Sequence, residues 1–194
     1  MKLFKITLFI SLLFLSVIVK AQTWQWLSAS TNTLANSIPG KIVSDALGYT
    51  YSTGTFSNTF IVAPTMSLTS AGNKDIYVIK RDPNGMAIWA KRFGSTLEDE
   101  ATGIALDHSG NIILGGKFSQ TMAMGATLLS SNGGFDAFIA KLDNTGNNIW
   151  AKSFGGTSSG NWDAVYALAT DTLNNIHATG LFFGNVSLAS GITI

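Results

Sequence analysis

The chain has 194 residues, 46% of them hydrophobic and 12% charged, with 20 Gly, 3 Pro and no Cys. That composition excludes a disordered tail, which lacks the apolar residues to bury a core, and the missing cysteine excludes a disulfide scaffold and a thiolate metal site. Net charge is +1 overall, but Lys2, Lys5 and Lys20 lie in the leading segment; beyond it nine basic residues face eleven acidic ones, a balance of −2 that does not attract nucleic acid.

Residues 1–21 read as a signal peptide. Lys2 and Lys5 form a positive start, a 14-residue run from Ile6 to Val19 is broken only by Thr7, Ser11 and Ser16, and Val19-Lys20-Ala21 matches a small-residue cleavage site. A transmembrane helix is the rival reading, but a span takes about 20 predominantly apolar residues and this run is shorter. Cleavage after Ala21 would leave Gln22 at the mature N-terminus and a mature chain of 173 residues, 22–194. Without cysteine there is no residue to carry a lipoprotein anchor, so the expected product is soluble and exported.

The remainder repeats. Asp75-Ile-Tyr-Val-Ile-Lys80 recurs as Asp136-Ala-Phe-Ile-Ala-Lys141, and Ile88-Trp-Ala-Lys-Arg-Phe-Gly94 recurs as Ile149-Trp-Ala-Lys-Ser-Phe-Gly155, both at an offset of 61. Ala105 to Ile112 matches Ala169 to Ile176 at offset 64, and a Gly-x-Phe block appears at Gly54, Gly116 and Gly180. Trp26 precedes Trp89 by 63, which brings the start of the mature chain into the pattern.

Each unit of about 62 residues reads as four short strands. Ile76 to Lys80 and Ile88 to Phe93 flank Asp82-Pro-Asn-Gly85; Gly103 to Leu106 and Asn111 to Phe118 flank Asp107-His-Ser-Gly110. The turns share a logic. The Asp side chain accepts backbone N–H groups two residues on, and Gly or Asn supplies the left-handed position that closes the turn. Copies stand at Asp45, Asp82, Asp107, Asp143 and Asp171, the last with Asn174 in place of Gly. No stretch after the leader has a 3.6-residue period with caps, so almost no helix is expected there.

Four antiparallel strands per repeat, with apolar residues at successive positions, suit sheets covered on both faces, as in the blades of a β-propeller. A parallel β-helix has much shorter repeats and lacks such hairpins. The repeated D-x-x-x-x-K strand, the D-x-x-G-N turn, I-W-A-K-x-F-G and G-x-F together resemble the SBBP repeat of secreted bacterial proteins, over essentially everything from Trp24 onward. The resemblance implies a non-enzymatic extracellular or cell-surface repeat protein, many relatives of which carry further blades.

The expected fold class is therefore all-β: propeller-like repeats of four-stranded antiparallel blades, about three units with the ring incomplete, behind a signal-peptide helix. Read from Trp26, the units fall as a partial blade at about 22–60, a blade at about 75–120, a blade at about 136–184 and an open loop at about 185–194. A propeller needs roughly four to eight blades to close. The expectation is an N-terminal fragment of a longer protein, or an oligomer that completes the ring between chains.

Candidate chemistry is sparse. Gly156-Thr-Ser-Ser-Gly160 spells a nucleophile elbow, but the sequence after it aligns with a strand where an elbow needs a helix. His108 and His177 occupy different repeat positions with no zinc-binding companion. Calcium is the better-motivated metal, yet each Asp turn offers one carboxylate already used within the turn, and the adjacent Glu98, Asp99 and Glu100 alternate sides of a strand. Trp89 and Trp150, with Phe93 and Phe154, recur at one strand position and are expected to pack blade on blade. Trp162 is unrepeated and lies in a loop.

The site residues expected to meet a ligand or partner are Trp162, Asp163 and Glu98, with no catalytic, cofactor or metal residue assigned and calcium as the one cofactor to consider. The expected function is a binding or structural scaffold outside the cytoplasm, at the cell surface, in the periplasm or in the medium. Its partners would be a protein or polysaccharide, with no nucleic acid and no membrane span after cleavage. The alternatives are a calcium-dependent adhesin and a polysaccharide-active propeller enzyme, which a pocket lined by Glu98 and Asp163 would favour.

Overall fold

The computed structural model describes residues 36–157, 160 and 162–183, so the leader and Trp26 lie outside the described residues. Twelve strands and no helix are described: β1 (Ser37–Ser44), β2 (Thr50–Phe56), β3 (Thr59–Ala63), β4 (Met66–Thr69), β5 (Asp75–Arg81), β6 (Ala87–Phe93), β7 (Asp99–Leu106), β8 (Ile112–Met124), β9 (Thr127–Leu142), β10 (Asn148–Phe154), β11 (Ala164–Thr170) and β12 (Ile176–Leu181). β1-β2-β5-β6 form one antiparallel sheet and β7-β8-β9-β10 a second. β11 and β12 form a hairpin stacked on the second sheet through a shared apolar layer. The first strands of the three bodies adjoin: Thr102 Oγ1 on β7 donates to Val165 O on β11, and Thr170 Oγ1 donates to Leu106 O at 2.6 Å. This is the radial arrangement of propeller blades.

The strands group half a unit away from the expected boundaries. β5 and β6, assigned with β7 and β8 to a blade at about 75–120, pair instead with β1 and β2, so the sheets run over 37–93 and 99–154. The reason lies in the connections. The five-residue link 94–98 steps from one sheet to the next, whereas the long link 57–74 stays with its own sheet and folds into the additional hairpin β3-β4. In the second sheet the same addition appears as continuous extensions of β8 and β9, where Thr121 to Met124 pair with Ser130 to Thr127. Asn58 and Gln120 open these two hairpins in the same left-handed conformation, and their N–H groups donate to Ser70 Oγ and Ser131 Oγ, both at 2.9 Å.

All five Asp turns close as their residues dictate. Asp45, Asp82, Asp107, Asp143 and Asp171 each accept two backbone N–H groups at 2.8–3.0 Å, from residues two and four positions on. Gly48, Gly85, Gly110, Gly146 and Asn174 then take φ of 66–84°, the left-handed region. The Gly-x-Phe glycine answers a different need. β1, β7 and β11 each carry a register irregularity, and there the opposing carbonyls of Ile38, Glu100 and Ala164 press against Gly54, Gly116 and Gly180 so closely that no Cβ fits.

The cores are layers between sheets. Tyr51, Ile76, Val78 and Phe93 of the first sheet meet Ile104, Ile112, Leu114, Phe118, Phe138 and Leu142 of the second. Ile113, Ile139 and Phe154 face Val165 on the other side. Successive residues of the second sheet are therefore buried on both faces, which is why its strands read as apolar runs. Phe93 and Phe154 are core residues of successive layers, and Trp89 reaches across with Nε1 donating to Asn144 O of the second sheet at 3.3 Å.

Candidate contact site at the second sheet junction

Opposite the Asp turns, the chain passes from the last strand of one sheet to the first strand of the next, and two such junctions are described. Each repeats one plan. In the first, Lys74 and Glu98 bridge in parallel and their side chains pair, Nζ to Oε1 at 2.5 Å. In the second, Phe135 and Trp162 make the same bridge and pack edge to face with ring centroids 5.8 Å apart. Lys117 adds a cation over this pair, its Nζ 4.7 Å from the Trp162 ring centroid and 4.9 Å from that of Phe135. Glu100 Oε2 holds the same ammonium at 3.2 Å. Trp162 remains 54% exposed, so the cluster presents an indole to solvent on a fixed base.

The three expected contact residues thus separate. Trp162 stands on the surface, Glu98 is half-buried and tied to Lys74, and Asp163 is 2% exposed. Asp163 turns into the fold; its Oδ2 accepts Gly156 N–H and its Oδ1 accepts Phe183 N–H, at 2.8 and 2.7 Å. Glu98 and Asp163 belong to different junctions: Glu98 bridges Lys74 at the first, and Asp163 N–H bonds Phe135 O at the second. Phe135 and Lys117 were missed in the sequence, although both differ from their repeat counterparts, Lys74 and Thr55, and that break in an otherwise regular pattern was the available signal.

Beneath the surface cluster each junction buries two carboxylates: Asp75 with Asp99, and Asp136 with Asp163. Asp75, Asp99 and Asp136 each accept the N–H four residues before, from Ala71, Ser95 and Asn132, at 2.8 Å, so each ties down the loop that delivers it. Burial, with the neighbouring Asp75 charge adding, pushes Asp99 up to about 7; burial and Asp163 likewise push Asp136 up. In the adjacent Glu98-Asp99-Glu100 run only Asp99 turns inward, and among the described residues no three His, Asp or Glu converge as a metal cluster.

A groove of about 440 Å³ lies elsewhere, on the outer face of the first sheet, lined by Phe60, Tyr77, Ile79 and Arg81 with Lys41 and Ile42 of β1. None of the three expected contact residues reaches it. Among the described residues no helix is long and apolar enough to cross a membrane.

Stacked four-stranded antiparallel sheets with adjoining first strands define a propeller-like repeat scaffold, without a closed ring among the described residues. The comparisons agree with that class. The chain is similar to an uncharacterized WD repeat-containing protein of Acanthamoeba polyphaga mimivirus, 36% identical over 97 residues, which is 46% of this chain and 7% of that protein. It is also similar to the regulatory protein FlaEY of Caulobacter vibrioides, 30% identical over 90 residues, 44% of this chain and 9% of that one. The chain spans less than a tenth of the length of either curated relative. The WD-repeat relative and the four-stranded sheets support the propeller-like character of the repeat; no family model matches, and the SBBP family itself is not shown.

Proposed function

We propose that the protein is an exported, non-catalytic repeat scaffold of the SBBP kind, acting at the cell surface as part of a larger propeller and contacting a protein or polysaccharide through the Trp162 cluster. The observation that carries this reading is the replacement of a Lys–Glu ion pair by Phe135 and Trp162 at one junction of a regular repeat, with Trp162 left 54% exposed. Repeat scaffolds differ in function by what they display on a constant frame, and an exposed indole braced by a second ring and a cation is a recognition group held at little entropic cost. Export is supported by the order of charge, apolar run and small-residue site in residues 1–21. An enzymatic reading would need two carboxyl groups facing one pocket, and Glu98 and Asp163 supply no such pair.

The test has two parts. Expression in the native cell followed by fractionation and N-terminal sequencing should recover a chain beginning at Gln22 outside the cytoplasm; an intact leader on cytoplasmic protein refutes export. Binding to purified cell-surface polysaccharide and to intact envelope protein should fall at least tenfold in Trp162→Ala, and unchanged binding to both overturns the contact assignment.

A further inference from the structure

The second sheet shows how one repeat seats on the next. Trp89 of β6 lies on the turn 143–146: a Cβ built on Gly146 would stand 3.0–3.1 Å from Cη2 and Cζ3 of its ring, and its Nε1 donates to Asn144 O at 3.3 Å. On the same face Leu114, Phe138 and Leu142 are fully buried with Tyr51, Val78 and Phe93 of the first sheet.

One repeat earlier the first sheet carries a seat of the same shape. Asp82 and Asp143 each accept the N–H groups two and four residues on, and Gly85 and Gly146 have φ of 83° and 82°. Pro83 holds the sequence position of Asn144. Beside this turn runs the groove of about 440 Å³, but its lining differs: Ser52 stands for Leu114, Tyr77 for Phe138 and Arg81 for Leu142. Arg81 is fixed at the turn, with Nη1 donating to Gly85 O at 3.0 Å.

A full apolar blade laid on this face would bury a guanidinium and two hydroxyl groups against hydrocarbon, which is costly. A single segment with aromatic rings and polar side chains suits it better, because a guanidinium is attracted to the face of an indole. Residues 24–30, Trp-Gln-Trp-Leu-Ser-Ala-Ser, have that composition, with two indoles, no charge and Ser30 where β6 has Phe93 at the offset of 63. Trp26 precedes Trp89 by the same offset, and the six residues 31–36 that lead to Ser37 compare with the five of link 94–98 between β6 and β7. Ser37 itself lines the groove.

We propose that the chain's own segment 24–30 docks on the outer face of the first sheet as its cap, with the Trp26 indole on turn 82–85, its Nε1 toward Pro83 O and its ring against Arg81. Stacked repeats need a terminal element that closes the apolar layer with a polar outer side. The proposal rests on the duplicated turn and the altered groove lining, and is independent of export and of the contact role of Trp162.

The experiment uses the full chain, which has no cysteine, so that two introduced thiols report on each other alone. At the offset of 63 Ser28 stands for Lys91, whose Cγ lies 2.9 Å from the Cβ built on Gly146. Ser28→Cys is combined with Asn84→Cys, beside Gly85, or with Thr145→Cys at the same place on the second turn, and each pair is treated with a short bismaleimide. Docking raises the effective concentration of the first pair, which is expected to cross-link within one chain roughly tenfold faster than the second. Adding Trp26→Ala should remove that advantage, whereas adding Trp162→Ala should leave it unchanged. Non-reducing electrophoresis over a range of protein concentrations reads the products. Cross-links between chains that rise with concentration put a second copy on this face and overturn the proposal. Equal rates for the two pairs overturn it as well, as does a Trp26→Ala chain that reacts as fast as its parent.

Discussion

Phe135 and Trp162 form an edge-to-face pair at the positions where the preceding junction carries the Lys74–Glu98 ion pair. One backbone bridge thus accepts either chemistry, which means that the frame does not depend on the side chains displayed there. An exposed ion pair contributes about 0–1 kcal/mol and an aromatic pair about 0.5–1.5 kcal/mol. The double variant Phe135→Lys with Trp162→Glu is therefore expected to lose about 1 kcal/mol or less in urea unfolding while losing ligand binding. A much larger loss would make the pair part of the core.

Gly116 is predicted to be intolerant of the smallest substitution. A methyl group there runs into the carbonyl of Glu100 across a bulged ladder, and the backbone must shift to admit it. Gly116→Ala should cost roughly 1–3 kcal/mol, whereas Gly110→Ala, whose Cβ meets nothing, should cost only the strain of φ +77°. Chemical denaturation of the two variants side by side separates steric clash from conformational strain.

Stability should decline as pH rises from about 4 to about 7. Burial, with Asp75 nearby, holds the Asp99 carboxyl at about 7 against an ordinary value of 3.8, with Arg92 opposing the shift, so the folded chain keeps a proton that the unfolded chain releases. Protons bound in excess by the folded state mean that stability is greatest below the unfolded value and is lost up to the folded one. Asp136 shifts the same way. Asp99→Asn should flatten most of this slope in urea titrations between pH 4 and 7.5; a slope unchanged in that variant would assign it to other groups.

Phe118 is buried completely and meets Phe138 edge to face with centroids 6.4 Å apart. Truncation to Ala should cost about 3–5 kcal/mol. Ile149 belongs to β10, the edge strand of the same sheet, but is 52% exposed, and Ile149→Ala should stay within about 0.5 kcal/mol. Equal losses in the two variants would contradict the assignment of the faces.

Much of the architecture is written locally. An Asp that captures two N–H groups and a residue that accepts positive φ define a hairpin within five positions, so all five turns were legible, including Asp171 with Asn174 in the glycine position. The β3-β4 addition was not legible, because Phe60 and Met122 sit at equivalent places on different apolar side chains and the turns at 64–65 and 125–126 share no residues. Nor was Asp163: in sequence it follows an exposed Trp in a polar loop, and only the fold turns it inward.

By itself the sequence determined the period, the four principal strands of a unit, the Asp hairpin turns and the all-β class, since a hairpin depends on contacts within a few residues. The tertiary structure decided which hairpins share a sheet, because β5-β6 carries the same local signals whether it pairs with β2 before it or stacks on β7 after it. That choice follows from burying Tyr51, Ile76 and Val78 against Ile104 and Leu114, groups tens of residues apart. It also decided that Asp136 and Asp163, separated by a whole hairpin, share one dry site, because the free energy of a buried charge is set by what surrounds it in space.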